Sequence, residues 1–351
     1  MERQAIRNRL APGVVAALTA AALFGIGTPL AKLLLSTVSP WMLAGLLYLG
    51  SGLGLALYRW IKRSPGVSLP PHELPWFIGA VTAGGVAGPV LLMLGLVGMP
   101  ASGASLLLNA EAVFTAIIAW FVFKENFDKR IALGMVAIVA GAVVLSWSSE
   151  ARLEGFWSAC AVLAACLAWG IDNNLTRKVS LTDASWIACV KGLVAGSVNL
   201  GLALVLGAAM PSLSHLISGL VLGFFAYGVS LALFVVALRH LGSARTGAYF
   251  SVAPFLGAVG ALAMGEPLTL SLIVAGALMA TGIWLHLTEH HEHLHTHPEL
   301  EHEHEHVHDL HHQHDHPYPI AAGVRHNHVH RHTAVRHFHP HYPDAHHQHD
   351  H

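Results

Sequence analysis

Long apolar runs separated by short polar connections dominate the first 287 residues. The runs lie near residues 12–35, 40–61, 75–98, 101–123, 131–147, 154–176, 184–207, 214–238, 243–264 and 269–287. A membrane-spanning helix needs about 20 apolar residues, and its backbone groups must be hydrogen-bonded within the segment because lipid offers no partners. The pattern therefore predicts an all-α integral membrane protein with ten transmembrane helices.

The two halves of this apolar part resemble each other weakly but in order. With an offset of 145 residues, Lys32 falls on Arg177, and with an offset of 141 residues, Glu125 falls on Glu266. Because five helices per half is an odd number, corresponding helices cross in opposite directions. Inverted repeats of this kind enclose a central site in secondary transporters. The two predicted five-helix repeats cover residues 12–147 and 148–287.

Positive charge predicts how the chain is oriented. Lys and Arg residues fall almost entirely on the side that holds the N-terminus, residues 1–11, with only Lys32 and Arg152 on the other side. Positive residues prefer the cytoplasmic face. Ten crossings return the chain to its starting side, so we expect both termini in the cytoplasm and the bundle in the inner (plasma) membrane.

Composition separates the last residues, 288–351, from the membrane part. Of the 28 histidines, 24 follow residue 286, and they alternate with short polar residues. Apolar content is too low for a packed core, so a disordered tail is expected. The histidines predicted to bind metal are His290, His291, His293, His295, His297, His302, His304, His306, His308, His311, His312, His314, His316, His326, His328, His330 and His332.

Imidazole nitrogen suits nickel, cobalt, zinc and copper(II), and intervening carboxylates add oxygen ligands. The tail contains no Cys or Met, which argues against copper(I). The sequence therefore predicts a tail that binds Ni, Co or Zn, while no cofactor is required. The alternative is a solvated polar tail without a ligand. Metal binding by the tail would not make metal the cargo, because a tail can also buffer, sense or deliver an ion.

Polar side chains inside the apolar runs are the candidate site residues, because ionisable groups at membrane depth are costly and usually face a cavity or a partner. Glu111 lies near the middle of the fourth helix, and Asp172 and Lys191 share a depth in the sixth and seventh. Two readings stay open: Asp172 and Lys191 form a structural ion pair, or Asp172 and Glu111 line a cation path. The substrate-path candidates are Glu111, Asp172, Asn109, Asn173, Asn174 and Lys191.

The ends of the two halves carry a specific resemblance. The segments SLLLNAEAVFTAIIAWFVFKE at 105–125 and TGAYFSVAPFLGAVGALAMGEPLTLSLIVAGALMATGIWL at 246–285 resemble the repeat ends of the drug/metabolite transporter superfamily, EamA type. The resemblance implies a ten-helix exporter of small solutes in which Glu125 and Glu266 are structural. Val113 stands where the second half has Pro254, which leaves open whether the first half shares the family's helix break.

The histidine tail also resembles superfamily members associated with nickel and cobalt resistance. This resemblance favours the hypothesis that the chain is a secondary transporter and exports nickel or cobalt that the tail has captured. The alternative is an exporter of a small metabolite or amino acid whose tail only buffers or senses metal. A third alternative is a metal sensor or storage protein held by a membrane anchor, but such a protein would not need the inverted repeat.

No nucleotide-binding or hydrolase motif is present, so no enzymatic activity is expected. The expected partners are the lipid bilayer and a divalent metal ion, with no nucleic acid, and a homodimer is left open.

Overall fold

The structure is a computed structural model, and it describes residues 2–67, 69–123, 129–148, 153–179, 182–241, 249–287, 292–297, 300–306, 326–332 and 335–340. Two compact units are present, Met1–Glu289 and His290–His351. The first unit is helical and the second contains the histidine-rich strands.

Helices account for nearly all of the first unit. They are α1 Glu2–Leu34, α2 Pro40–Lys62, α3 Leu74–Ala80, α4 Gly88–Gly98, α5 Ala101–Leu107, α6 Ala110–Phe123, α7 Lys129–Ser148, α8 Leu153–Arg177, α9 Ala184–Val205, α10 Leu213–Gly223, α11 Ser230–Leu241, α12 Ala253–Ala263 and α13 Leu270–Leu287. Two π-helical segments, Val81–Ala87 and Phe224–Val229, join α3 to α4 and α10 to α11.

Seven helical segments of the described chain are long and apolar enough to cross a membrane: Gly13–Leu34, Pro40–Lys62, Leu74–Gly98, Ala101–Val122, Gly155–Thr176, Ser185–Val205 and Leu213–Phe234. Shorter apolar helices occupy the places of the predicted fifth, ninth and tenth crossings: Ala132–Ser146, Ala253–Ala263 and Leu270–Leu285. The prediction of a multi-pass helical membrane protein is confirmed. The count of ten crossings stays a prediction.

The helices pack in the pattern that an inverted repeat produces. Helix α1 packs against α11 and α12, and α8, its counterpart in the second half, packs against α4 and α6. The counterparts α2 and α9 pack against each other, as do α7 and α13. The two π-helical segments also occupy equivalent places, in the third and eighth predicted crossings. Exchanging the two halves therefore leaves these packed pairs unchanged.

Close approach between these helices depends on glycine. A Cβ atom on Gly50 of α2 would lie 2.1 Å from the carbonyl oxygen of Leu220 in α10. A Cβ on Gly192 of α9 would lie 2.7 Å from the backbone nitrogen of Gly52 in α2. Apolar burial contributes little to helix association in lipid, so van der Waals contact between backbones that small residues allow to meet is a main source of stability.

The fourth predicted crossing is broken without a proline. Helix α5 ends at Leu107, α6 begins at Ala110, and the buried Asn109 lies in the turn between them. The Asn109 amide nitrogen donates to the carbonyl oxygen of Leu106 at 2.9 Å. A short polar side chain that bonds to nearby backbone offers an alternative to the helical hydrogen bond. The first half therefore shares the helix break of the second, where α12 carries Pro254 in its first turn.

The two family glutamates were expected to be structural, and Glu266 has such a role. Its carboxylate oxygens accept hydrogen bonds from the backbone amides of Ala101 at 2.7 Å and Ser102 at 2.9 Å. These amides begin α5, where no helical partner exists for them. On the same side of the bundle, Lys32 donates to the carbonyl oxygens of Leu96 and Val97 at the end of α4. Glu125 lies outside the described residues.

The opposite ends of the helices are joined by an ion pair between α2 and the start of α9. A guanidinium nitrogen of Arg59 lies 3.0 Å from Asp183 Oδ1. Partial burial by itself would raise the pKa of the Asp183 carboxyl. Hydrogen bonds from the Ser185 hydroxyl and the Trp186 amide, together with Arg59, hold that pKa below its usual value. The charged form of Asp183 is therefore favoured where the two helices meet.

The disordered tail stays a prediction, and the structure describes four segments of the second unit. These segments are strands β1 Glu292–His297, β2 Leu300–His306, β3 His326–His332 and β4 Val335–Pro340. They form two antiparallel pairs, β1 with β4 and β2 with β3. Low apolar content predicted disorder, but strict alternation over several residues also suits an extended strand. The other residues of the tail lie outside the described ones.

Replacement of Glu266 tests its role at the start of α5. We expect Glu266→Ala to lower the free energy of unfolding by about 1–3 kcal/mol, because two backbone amides lose a charged acceptor. Glu266→Gln keeps one acceptor oxygen and should lie between Ala and wild type. Thermal unfolding of the three purified proteins in detergent measures their order of stability. Equal stability of all three proteins would contradict a capping role.

Candidate functional site

A cavity of about 360 Å³ lies within the membrane unit. Its polar lining comprises Tyr48, Ser51, Glu111, Asp172, Asn173, Lys191, Tyr227 and Ser230. Its other aromatic lining comprises Phe24, Trp169, Phe234 and Phe250. Helices of both halves contribute to the lining, so the cavity lies between the halves. An inverted repeat predicts a transport site at this position.

Asp172 of α8 and Lys191 of α9 form an ion pair on the cavity wall. The two side chains are only 8% and 15% exposed, respectively. The other carboxylate oxygen of Asp172 accepts a hydrogen bond from the Thr176 hydroxyl at 2.9 Å. Burying either charge alone would cost a large desolvation free energy. Pairing with the opposite charge offsets part of that cost for both side chains. The ion pair of the first alternative is present, and both of its side chains also line the cavity, so the two alternatives are compatible.

Glu111 has a different environment on the same cavity. One of its carboxylate oxygens accepts a hydrogen bond from the amide nitrogen of Asn173 at 2.7 Å. That amide nitrogen also lies 3.3 Å from the Thr115 hydroxyl. Among the residues that the structure describes, no cation lies within ion-pair distance of Glu111. Glu111 is therefore the acidic group of the cavity that a cationic solute or a proton can reach without breaking an ion pair.

The π-helical segment Val81–Ala87 supplies a backbone acceptor to two side chains of the cavity lining. The carbonyl oxygen of Gly84 accepts hydrogen bonds from the Tyr48 hydroxyl at 2.7 Å and from the Trp169 indole nitrogen at 3.0 Å. A Cβ atom on Gly84 would lie 2.0 Å from Asp172 Oδ2. Glycine at this position thus lets α8 approach the segment closely, and its carbonyl oxygen holds two aromatic side chains.

Aromatic rings meet each other around the cavity. Tyr227 contacts Phe24 with ring centroids 5.7 Å apart and Tyr48 at 5.5 Å. Phe250 contacts Phe24 at 5.6 Å and Phe234 at 4.9 Å. These separations are typical of edge-to-face and tilted aromatic pairs. The rings form an aromatic wall, defined by Phe24, Tyr48, Trp169, Tyr227, Phe234 and Phe250, around the charged groups.

The structure brings together four of the six predicted substrate-path residues. Glu111, Asp172, Asn173 and Lys191 line the cavity. Asn174 does not: its amide nitrogen donates to the carbonyl oxygens of Gly170 and Thr115, and so ties α8 to α6. Asn109 also lies elsewhere, at the helix break.

The aromatic wall was missed by the sequence reasoning. Phenylalanine and tryptophan in an apolar run have no feature that separates a cavity wall from a helix contact. Tyr48 and Tyr227 did carry a signal, because each places a hydroxyl group in the interior of an apolar segment. A buried hydroxyl usually requires a partner.

The ligand set of the cavity does not resemble a metal centre. Within the described residues of the membrane unit, no group of three or more His, Cys, Asp and Glu side chains is placed to hold a metal ion. Asp172 is engaged by Lys191, and Glu111 is bonded to an amide. The arrangement suits an organic solute with an apolar body and a charged group, since ligand sites are mostly apolar with a few placed polar groups.

Comparison with known proteins agrees with this architecture. The EamA-like transporter family matches residues 11–147 and 156–288, one match for each half. A solved crystal structure superimposes with a TM-score of 0.60 over 78% of this chain and 94% of that chain. Its sequence is 16% identical, so this likeness shows the fold alone.

Curated relatives are transporters by name. An "Uncharacterized transporter" of Methanothermobacter thermautotrophicus is 29% identical over 293 residues, which cover 78% of this chain and 85% of the relative. A "Probable amino-acid metabolite efflux pump" of Salmonella typhimurium is 26% identical over 211 residues, covering 54% of this chain and 68% of the relative. Because the family matches both halves, this multi-pass membrane transporter belongs to the EamA-like transporter family.

Proposed function

We propose that this transporter exports a small organic solute of the amino-acid-metabolite class through the cavity between its two halves. The observation that carries the proposal is the aromatic wall around Glu111 and the Asp172–Lys191 pair. The efflux-pump name of the Salmonella relative supports the same class. In the proposed orientation both termini face the cytoplasm of the inner membrane, and the solute leaves the cell.

The recognition of an amine would use Glu111 and the aromatic wall. A carboxylate without an ion-pair partner attracts an ammonium group strongly in a site of low polarity. Faces of tyrosine and tryptophan rings add cation–π attraction of about 0.5–2 kcal/mol. The apolar body of the solute would contact Phe24, Phe234 and Phe250.

The recognition of a carboxylate would use Lys191. The Lys191 ammonium lines the cavity while it is paired with Asp172. A solute carboxylate approaching Lys191 would share that ammonium with Asp172. An amino acid thus has a complementary partner for each of its charged groups.

Proton coupling would also use Glu111. Its carboxylate is bonded to the neutral Asn173 amide, so protonation of Glu111 breaks no ion pair. A proton and a solute ammonium would compete for the same carboxylate. Competition of this kind links the inward movement of a proton to the outward movement of a solute, because each is released where the other binds.

The metal-export hypothesis has weaker support in the membrane unit. Nickel or cobalt would have to cross as substrate, and the cavity offers Glu111 and Asp172 as carboxylates with no histidine or cysteine in its lining. Transition-metal ions in proteins usually take several nitrogen, sulfur or carboxylate ligands at once. The aromatic wall is explained by an organic solute and has no role in binding a hydrated metal ion.

Transport assays in inverted membrane vesicles distinguish an organic solute from nickel as the substrate. We expect proton-gradient-dependent accumulation of labelled amino acids or their amine derivatives, and none of nickel, in vesicles that contain the full chain. Glu111→Gln keeps a hydrogen-bonding group but cannot ionise, so solute accumulation should fall at least about tenfold, as when a well-placed charged contact is lost.

Removal of residues 289–351 is the matched control, because the cavity is formed entirely by the membrane unit. The truncated chain should retain accumulation of the organic solute. Nickel accumulation that the truncation weakens, without movement of any organic solute, would overturn the proposal.

Charge-pair variants test how Asp172 and Lys191 depend on each other. Asp172→Asn leaves a buried ammonium without its partner and should lower the free energy of unfolding by about 3–5 kcal/mol. The double variant Asp172→Asn with Lys191→Met removes both charges and should recover most of that stability. Thermal unfolding in detergent measures both effects. A double variant no more stable than the single one would show that the pair is not coupled.

A further inference from the structure

Histidine positions face each other across both strand pairs of the second unit. In β2 and β3, the partners are His302 with His330, His304 with His328, and His306 with His326. In β1 and β4, the partners are His293 with His339 and His295 with His337. We propose that each strand pair is a binding site for one divalent transition-metal cation, built from opposed histidine positions on one face of the pair.

Strand geometry places four such positions in one patch. Directly opposed residues of antiparallel strands have Cα atoms about 4.5–5.5 Å apart, and residues two positions apart on one strand share a face about 7 Å apart. In β2 and β3, positions 302, 304, 328 and 330 therefore form a quartet on one face. Four imidazole nitrogens make a complete tetrahedral ligand set for zinc at about 2.0–2.1 Å.

The same alternation keeps other groups off that face. The intervening partners are Glu301 with Arg331, Glu303 with Val329, and Glu305 with Asn327. Carboxylate positions thus occupy the opposite face from the histidine quartet. A ligand set of imidazole nitrogen favours nickel, cobalt, zinc or copper(II) over magnesium and calcium, which prefer oxygen.

The β1–β4 pair repeats the arrangement with His293, His295, His337 and His339. His337 and His339 were not among the histidines predicted to bind metal, because the sequence did not show which segments pair. Two separate pairs with the same arrangement make a two-site metal module. This module does not depend on which solute crosses the membrane unit.

A composition-preserving exchange tests whether the register makes the site. His304→Glu together with Glu303→His moves one histidine to the neighbouring position while the tail keeps every residue type. Strand β2 has only His302, His304 and His306, so after the exchange no two of its histidines are two positions apart, and a slip of the strands does not restore the quartet. His304 belongs to both possible quartets of the pair, so β2 and β3 lose their complete ligand set.

The measurement is equilibrium dialysis of the full chain, purified without a histidine tag, against Ni²⁺ or Zn²⁺ alone, with metal analysis of the protein. We expect the wild type to hold about two ions tightly and the exchanged variant about one, with the lost site at least about tenfold weaker. His341→Tyr with Tyr342→His is the control, since the same kind of move is made outside the strands.

Equal binding by the wild type and both exchanged variants would overturn the proposal, because a tract without fixed register tolerates a shift of one position. Equal loss in the control and the His304 variant would overturn it as well. Transport of an organic solute by the membrane unit is unaffected by either result.

Discussion

The absence of water from the hydrocarbon core is the constraint on which the membrane unit depends. Every backbone and side-chain polar group at that depth needs a partner within the protein. The Gly84 carbonyl, in a π-helical segment, accepts hydrogen bonds from Tyr48 and Trp169. The charge of Asp172 is balanced by Lys191. Tyr48, Trp169, Asp172 and Lys191 line the cavity, so the requirement for internal partners also positions the proposed transport site.

The sequence predicted the features that depend on composition along one segment. Apolar run length placed the helices, and the rarity of charge at membrane depth identified Glu111, Asp172 and Lys191. The aromatic wall depends instead on which helix faces meet, and Phe24 or Phe250 has no local signal for that. The helix break at Asn109 was left open because Val113 suggested a missing proline, whereas a side-chain amide produces the break.

In the tail, the alternation of residue types along the chain agrees with the structure better than the composition does. Its low apolar content predicted disorder, yet its alternation of histidine with other residues is also the period of a strand. Pairing then decides which histidines belong together, as for His337 and His295, which are far apart in sequence and directly opposed in the structure. The two proposals thus rest on separate chemistry, a cavity for an organic solute in the membrane unit and opposed histidine positions in the tail.

The claim that the cavity is the transport site is tested most directly by measuring solute binding to two alanine variants. Both substituted residues, Tyr227 and Phe225, belong to the π-helical segment Phe224–Val229. Tyr227 lines the cavity, whereas Phe225 is absent from its lining and is 47% exposed on the membrane unit. Equilibrium binding of the exported solute to purified protein should weaken about three- to thirtyfold for Tyr227→Ala, the range of a lost cation–π contact, and stay unchanged for Phe225→Ala. Unchanged binding by Tyr227→Ala would contradict the account.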